Sequence, residues 1–243
     1  MEKFTAIVLA GGTGKRMHSH IHKQYLELAG NPVLYYALKA FEESDVTDIV
    51  LVTGADEETY CQREIIEKYH ISKVKAIVPG GAERYHSVYV GLCAADGADY
   101  VLIHDGARPL VTYDIICRSM EAVKEYHACV AGMPVKDTIK IADEDGYAGM
   151  TPERSKVWQI QTPQSFSYPL IYEAYHKMLA NEDSAITDDA MVVERMTNQP
   201  VKLIEGSYSN IKITTPEDML IAEMYLKHAF ENPQDEKNEK KLK

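Results

Sequence analysis

The stretch that decides the fold is "FTAIVLAGGTGKRM", residues 4–17. Its first part, residues 4–9, is a short apolar run, which is typical of a buried strand in a parallel sheet. The chain then changes to glycine and positive charge, with Gly11, Gly12, Gly14, Lys15 and Arg16 close together. Such a loop fits two hypotheses: it binds phosphate oxygens through backbone N–H groups and cations, or it is a mobile surface turn. The spacing matches neither the Walker A motif nor the dinucleotide-binding motif, which would need glycine in place of Met17.

Short apolar runs and stretches of helical periodicity alternate along the rest of the chain. The predicted parallel strands are residues 4–9, 48–53, 74–78, 100–104 and 129–134. The predicted helices between them are residues 33–43, 57–69, 84–93 and 112–126. This alternation predicts an α/β protein with a doubly wound, mostly parallel, Rossmann-like sheet. Ligands of such sheets bind beyond the carboxyl ends of the strands, so the residues that follow each strand are the candidates for a functional site.

Two further strands are followed by loops that fit a binding site. Residues 80–84, "GGAER", come with Ser87 one turn into the next helix, and residues 104–109 read "HDGARP". Asp105 is placed to hold Mg²⁺ on a nucleotide, although an aspartate there also begins turns. Arg108 fits both a catalytic role and a salt bridge that braces the loop.

The sequence pattern changes after the predicted strand at 129–134. Residues 135–164 contain short strand-like pieces separated by turn residues, which predicts a protruding β-arm rather than a long unstructured loop. An arm of this kind often pairs with a second subunit, so we expect a homodimer. Further strands are predicted at 201–205 and 211–214, and a last helix at 216–229, which begins after the N-cap Thr215. We therefore expect one domain over residues 1–230 and a polar, disordered tail over 231–243.

Composition excludes several classes of protein. The hydrophobic and charged fractions of 45% and 26% are those of a globular protein, and no apolar run has the ~20 residues of a membrane helix. The formal net charge of −11 argues against nucleic acid as a partner. Four widely spaced cysteines and an N-terminus that leads directly into a strand favour a cytoplasmic protein without a leader. His18, His20 and His22 alternate along a loop without a neighbouring acid, which favours polar loop residues over a metal site.

A series of motifs carries a family resemblance. In order along residues 4–230 they are "GGTGKRM", "KQYL", "GGAERYHSV", "HDGARP", "PVKDTIK", "QTPQSF", "TDDA" and "GSYSNIKITTPEDM". With these motifs the chain resembles the 2-C-methyl-D-erythritol 4-phosphate cytidylyltransferases of the non-mevalonate isoprenoid pathway. The resemblance implies a nucleotidyltransferase fold and the transfer of CMP from CTP to a polyol phosphate, with Mg²⁺ as cofactor and release of pyrophosphate.

The resemblance also implies a role for particular residues. Arg16 and Lys23 match a pair that stabilises the transition state at the α-phosphate, and Arg154 and Lys212 match a pair that holds the incoming phosphate. The positions implied to bind nucleotide are Ala10, Gly11, Gly12, Gly14, Gly81, Ala82, Ser87 and Asp105, and Asp105 also matches the metal ligand. The positions implied to bind the second substrate are Asp105, Arg108, Thr138, Arg154, Thr187 and Lys212. Because arms of the family cross between subunits, Thr138 and Arg154 are candidates for the neighbouring subunit's site.

Two alternatives to this function remain at the level of sequence. The glycine at Gly11 is shared with the ribitol-5-phosphate cytidylyltransferases of teichoic-acid synthesis, whose substrate is also a short phosphorylated polyol. The other alternative is a non-catalytic nucleotide-binding module, because a fold by itself does not determine a function. All four implied catalytic cations are present, which favours an enzyme.

Overall fold

The main element of the structure is a seven-stranded sheet with the order β11-β7-β10-β6-β1-β4-β5. The computed structural model describes residues 2–12, 17, 22–180 and 186–231, the last three in backbone only. Strands β6, β1, β4 and β5 run parallel to one another, and β7 runs parallel to β11, whereas β10 lies between β6 and β7 and is antiparallel to both. The predicted doubly wound, mostly parallel α/β sheet is confirmed.

The strands of the described chain are β1 (Phe4–Ala10), β2 (Glu27–Leu28), β3 (Asn31–Pro32), β4 (Asp48–Thr53), β5 (Val74–Pro79), β6 (Tyr100–Asp105), β7 (Ala128–Pro134), β8 (Ile141–Ala142), β9 (Ala148–Met150), β10 (Trp158–Ser167) and β11 (Lys202–Glu205). The helices are α1 (Val33–Glu42), α2 (Glu58–Tyr60), α3 (Arg84–Ala94), α4 (Tyr113–Tyr126), α5 (Tyr168–Ala180), α6 (Asp189–Met196) and α7 (Pro216–Glu231). Helix α2 continues as a π-helix over Cys61–Glu67, and single 3-10 turns cover Lys23–Tyr25 and Arg154–Lys156.

Two hydrophobic cores lie on opposite faces of the sheet. Because successive side chains of a strand point to opposite faces, Val8 packs into the core under α1 and α4, and Ile7 into the core under α3, α5 and α6. Helix α3 approaches β1 so closely that a Cβ atom on Gly91 would lie 2.5 Å from Cγ2 of Ile7. The sheet thus holds its loops on a rigid, doubly covered support.

Several predicted elements differ from the structure. Residues 74–78 form β5, but this strand is at the edge of the sheet and is only partly buried. Residues 158–164 were predicted as part of the arm and belong to β10 of the main sheet, so the hairpin β8–β9 lies in a shorter arm over residues 135–157. Residues 211–214 form no strand, because their backbone follows the loop after β6 instead of pairing in the sheet.

None of the helices in the described ranges combines the length and the apolar character that a membrane span requires. The predicted tail over 231–243, apart from residue 231, lies outside the described residues, as do His18 and His20 of the predicted polar loop.

Candidate active site

Three loops meet at one edge of the sheet, as predicted. Strands β1 and β6 are neighbours with Leu9 opposite Asp105, and Ala10 lies opposite Thr53 at the end of β4. The backbone N–H of Gly106 donates to Leu9 O at 2.8 Å, and that of Gly80 to Thr53 O at 2.8 Å. The first bond fixes the start of the loop after β6 to β1, and the second fixes the start of the loop after β5 to the end of β4.

Asp105 is the centre of a cluster of cations at this edge. Its carboxylate is 2.8 Å from Lys212 Nζ and 3.4 Å from Arg84 Nε, and its side chain is 11% exposed. Burial opposes ionisation of the carboxyl group, but the charges of Arg84, Lys212 and Arg108 outweigh it and hold the pKa of Asp105 well below its usual range. The site therefore keeps a buried, ionised carboxylate among cations.

Arg84 is held in place from the side opposite to Asp105. Its two terminal nitrogens donate to the two carboxylate oxygens of Asp189 at 2.8 Å each, which is the bidentate geometry that arginine favours. Asp189 is fully buried at the start of α6 and also accepts a 2.5 Å bond from the Tyr175 hydroxyl. This network was not predicted from the sequence, although Arg84 and Asp189 lie in two of the family motifs, "GGAERYHSV" and "TDDA".

The loop from His104 to Arg108 is fixed by buried hydrogen bonds. The N–H of Asp105 donates to Thr162 Oγ1 at 3.1 Å, and Oγ1 is 3.0 Å from His104 Nδ1. The other ring nitrogen, His104 Nε2, is 3.1 Å from Arg108 O. Arg108 itself donates to the carbonyl of Asn210 at 2.8 Å, so in this structure it braces the loop through backbone carbonyls.

Lys23 and Lys212 come together although they are far apart in sequence. Lys23 Nζ donates to the carbonyl of Ile213 at 2.8 Å, directly beside Lys212. Ile213 N donates in turn to Ala107 O at 2.8 Å, so the segment with Lys212 lies against the loop after β6. The structure thereby brings together Lys23, Lys212 and Asp105.

The candidate nucleotide loops approach the sheet through backbone atoms. A Cβ atom on Gly11 would lie 2.9 Å from Thr53 O, and one on Gly81 would lie 2.3 Å from the Cβ of His86. The N–H of Gly81 is 3.1 Å from Ser87 Oγ. Ala82 and Gly12 are exposed, and Ala10 is buried at the end of β1.

The remaining predicted site residues are placed apart from this cluster or outside the described chain. Thr138 and Arg154 are exposed on the arm, where Arg154 donates to Lys136 O at 3.3 Å. Neither hydrogen-bonds to Asp105 in the described part of the chain. Thr187 is exposed just before α6, and its hydroxyl contacts Met191 Sδ at 3.8 Å. The predictions for Arg16 and Gly14 lie outside the described residues.

A metal ligand set made only of protein side chains is absent from the described residues, where no group of three or more His, Cys, Asp or Glu side chains converges. A single carboxylate such as Asp105 still fits Mg²⁺, because this ion usually takes one or two carboxylates together with substrate phosphates.

Comparison with known proteins identifies the family. The family model for 2-C-methyl-D-erythritol 4-phosphate cytidylyltransferase, IspD, matches residues 4–228. The chain belongs to this family. A cytidylyltransferase of that name from Lachnoclostridium phytofermentans is 52% identical over 227 residues, which cover 93% of this chain and 97% of the relative. Another, from Lachnospira eligens, is 54% identical over 225 residues, covering 92% and 99%.

Solved structures agree with this assignment. The crystal structure of 4-diphosphocytidyl-2C-methyl-D-erythritol synthase from Anaerococcus prevotii superposes with a TM-score of 0.82 at 36% identity, covering 93% of this chain and 96% of that one. The 2-C-methyl-D-erythritol 4-phosphate cytidylyltransferase of Thermus thermophilus gives a TM-score of 0.75 at 29% identity, covering 93% and 98%. The predicted family and its nucleotidyltransferase fold are thus confirmed.

Proposed function

We propose that this chain transfers CMP from CTP to 2-C-methyl-D-erythritol 4-phosphate, giving 4-diphosphocytidyl-2-C-methyl-D-erythritol and pyrophosphate. The observation that carries this proposal is the cluster around Asp105 in a chain of the IspD family. Lys212 pairs with Asp105 at the carboxyl edge of the sheet, and Lys23 binds the carbonyl of the next residue, Ile213. Both lie in segments that adjoin glycine-rich loops suited to a nucleotide.

The reaction needs positioning more than it needs proton transfer. The attacking group is a phosphate monoester, whose second pKa of about 6 makes it largely dianionic at neutral pH, so it requires no general base. It attacks the α-phosphorus of CTP, a new P–O bond forms, and the bond to the bridging oxygen breaks as pyrophosphate leaves. The difficulty is to bring two anions together, which cations in fixed positions overcome.

The cations of the site act in two pairs, one at each reacting phosphate. Lys23 and Arg16 stabilise the charge that develops on the α-phosphate, and Lys212 and Arg154 hold the incoming phosphate. Lys212 has three N–H donors and uses one toward Asp105, which leaves donors for a phosphate oxygen. The loss of one such contact typically costs ~3–4 kcal/mol of transition-state stabilisation.

Backbone groups around Ala10, Gly11, Gly12, Gly14, Gly81, Ala82 and Ser87 hold the nucleotide. Thr138, Thr187 and Arg108 complete the pocket for the second substrate. Asp105 would hold Mg²⁺ together with the phosphates of CTP, and the ion supplies further positive charge at the reacting phosphates.

We further propose that two copies of the chain pair through the arm. Four large apolar side chains are exposed there, Ile139, Ile141, Tyr147 and Met150, and Tyr147 is 73% exposed. A second subunit that covers them would also bring Thr138 and Arg154 of one arm to the neighbour's site. The protein would be a cytoplasmic enzyme with one domain over residues 1–230.

The decisive assay measures pyrophosphate release with CTP and Mg²⁺. Methylerythritol phosphate and ribitol-5-phosphate are tested in parallel, with Lys212→Ala as the variant. We expect turnover with the first substrate and a loss of at least ~100-fold in the variant, as for the removal of one oxyanion contact. A preference for ribitol-5-phosphate would mean that the protein is a cytidylyltransferase with a different substrate. CTP binding without turnover of either substrate would refute the proposal that the protein is an enzyme.

A further inference from the structure

The short turn that contains Lys23 is fixed by its neighbours in sequence. Residues Lys23–Tyr25 form one 3-10 turn. A turn of this length does not fix the orientation of its backbone by itself, so contacts with the rest of the protein must do so. Gln24 is buried, and its Nε2 donates to the carbonyl of Ala10, the last residue of β1. This bond attaches the turn to the end of β1, an interior strand of the sheet.

Glu57 makes further attachments around this turn, and the Tyr25 hydroxyl also lies 3.1 Å from Cys61 Sγ. Glu57 Oε2 accepts a 2.8 Å bond from the Tyr25 hydroxyl and a 3.0 Å bond from the N–H of Gly54. Its Oε1 is paired with Nδ1 of His22. A Cβ atom on Gly54 would lie 2.6 Å from Oε2, which shows how closely the carboxylate packs against the end of β4.

These contacts lie on both sides of Lys23 in the chain. The Lys23 side chain itself is long and flexible, so the direction of its ammonium depends on the backbone from which it starts. With His22 and Tyr25 held by one carboxylate, the Lys23 ammonium is directed to Ile213 O, beside Lys212.

We propose that Glu57 is a positioning residue of the reaction, which acts by fixing His22 and Tyr25 on either side of Lys23. The proposal rests on the role of Lys23 at the α-phosphate given above. A displacement of about 1 Å in a catalytic group can cost on the order of 100-fold in rate, and this effect falls on the transition state more than on substrate binding.

A purely structural role would have a different effect. If Glu57 only ties the turn to β4, its removal lowers the free energy of unfolding and leaves the kinetics of the folded fraction unchanged. Because a smaller folded fraction also lowers the apparent kcat at an unchanged KM, kcat is calculated per folded protein, with the folded fraction taken from the unfolding curve of each variant. A lowered kcat of the folded protein then separates the positioning role from the structural one.

The first experiment measures steady-state pyrophosphate release by the full chain with CTP, Mg²⁺ and methylerythritol phosphate. We expect Glu57→Ala to lower kcat by ~10- to 100-fold with both KM values within about 2-fold of wild type. Glu57→Gln keeps an acceptor for Tyr25 and Gly54 and is expected to retain more activity than the alanine variant. The matched control is Glu58→Ala, which removes the same charge from the next residue and is expected to leave kcat unchanged.

Tyr25→Phe tests the same attachment without a change of charge. It removes the hydroxyl that contacts both Glu57 and Cys61, and it is expected to lower kcat less than Glu57→Ala does, because Glu57 keeps its contact with His22 and its hydrogen bond from the N–H of Gly54. The control is Tyr60→Phe, which also removes a tyrosine hydroxyl. Tyr60 is 43% exposed, and its ring contacts the ring of Tyr25.

The second experiment repeats Glu57→Ala in a Lys23→Ala background under single-turnover conditions. If Glu57 acts through Lys23, it has no further effect there, because coupled residues are not additive. An equal loss in both backgrounds, or a wild-type kcat in Glu57→Ala, would overturn the proposal. If Lys23→Ala turned over like the wild type, the role assigned to Lys23 would be wrong. That result would refute the proposed active site itself, independently of any role of Glu57.

Discussion

His104 offers a quantitative test of how the loop after β6 is held. The side chain is fully buried, and both ring nitrogens are within hydrogen-bond distance of fixed partners. Because Arg108 O can only accept, His104 Nε2 donates to it, and Nδ1 accepts the proton of the Thr162 hydroxyl. Thr162 Oγ1 then accepts from the N–H of Asp105. This arrangement requires a neutral imidazole, and burial lowers the pKa of His104 to about 4.

The lowered pKa makes the stability of the protein depend on pH. A histidine in the unfolded chain has a pKa of about 6.5, so between this value and about 4 the unfolded state binds more protons than the folded state. Stability is therefore lost as the pH falls through this window. Going from about pH 7 to about pH 4.5, His104 alone should lower the free energy of unfolding by about 2 kcal/mol.

The perturbation is His104→Asn, which removes the titrating group and keeps an acceptor near the position of Nδ1. The assay is urea unfolding of both proteins at several pH values from about 7 to about 4.5, with the comparison made on the slope against pH. All other titrating groups contribute to both proteins and largely cancel. The wild type should lose about 2 kcal/mol more than the variant over this range. Equal losses would show that His104 is not held neutral.

Three further predictions follow from the same structure. Asp189→Asn removes the charge that pairs with Arg84 and should cost ~3–5 kcal/mol of unfolding free energy, measured with urea, and an unchanged midpoint would contradict the pairing. Gly91→Ala places a methyl group 2.5 Å from Ile7 and should lower stability by ~1–3 kcal/mol, which a thermal unfolding curve would reveal or disprove. Ile141→Lys puts a charge on the arm and should shift sedimentation from dimer to monomer; an unchanged sedimentation coefficient would place the subunit contact elsewhere.

The parallel part of the fold was predictable from sequence, whereas β10 was not. Strands β1, β4 and β6 are apolar runs buried on both faces, and this leaves a clear pattern. Strand β10 reads "WQIQTPQSFS" and buries four polar residues, Gln161, Thr162, Gln164 and Ser165. The side chains of the first three hydrogen-bond to residues far away in sequence. A polar strand with a proline gives no periodic signal, so its place between β6 and β7 depends on tertiary contacts.

The candidate site also has a part that could be predicted from the sequence and a part that could not. The position of Asp105 at the end of a buried strand follows from the sequence pattern, because parallel strands present their carboxyl ends at one edge. The pairing of Arg84 with Asp189 joins residues 105 positions apart, and that of Asp105 with Lys212 spans a similar distance. No spacing rule predicts such contacts. Lys212 was proposed through the family resemblance, and Asp189 and Glu57 were found only in the structure.

The central claim is that the substrate phosphate attacks the α-phosphorus of CTP directly, with no covalent bond to the protein. In the described part of the site, Asp105 is paired with Lys212, and the buried His104 is hydrogen-bonded through both ring nitrogens. The measurement is the configuration at phosphorus after turnover of CTP with a chiral α-thiophosphate, determined by ³¹P NMR of the product. A single displacement predicts inversion. Retention would mean two displacements through a protein side chain and would contradict the account.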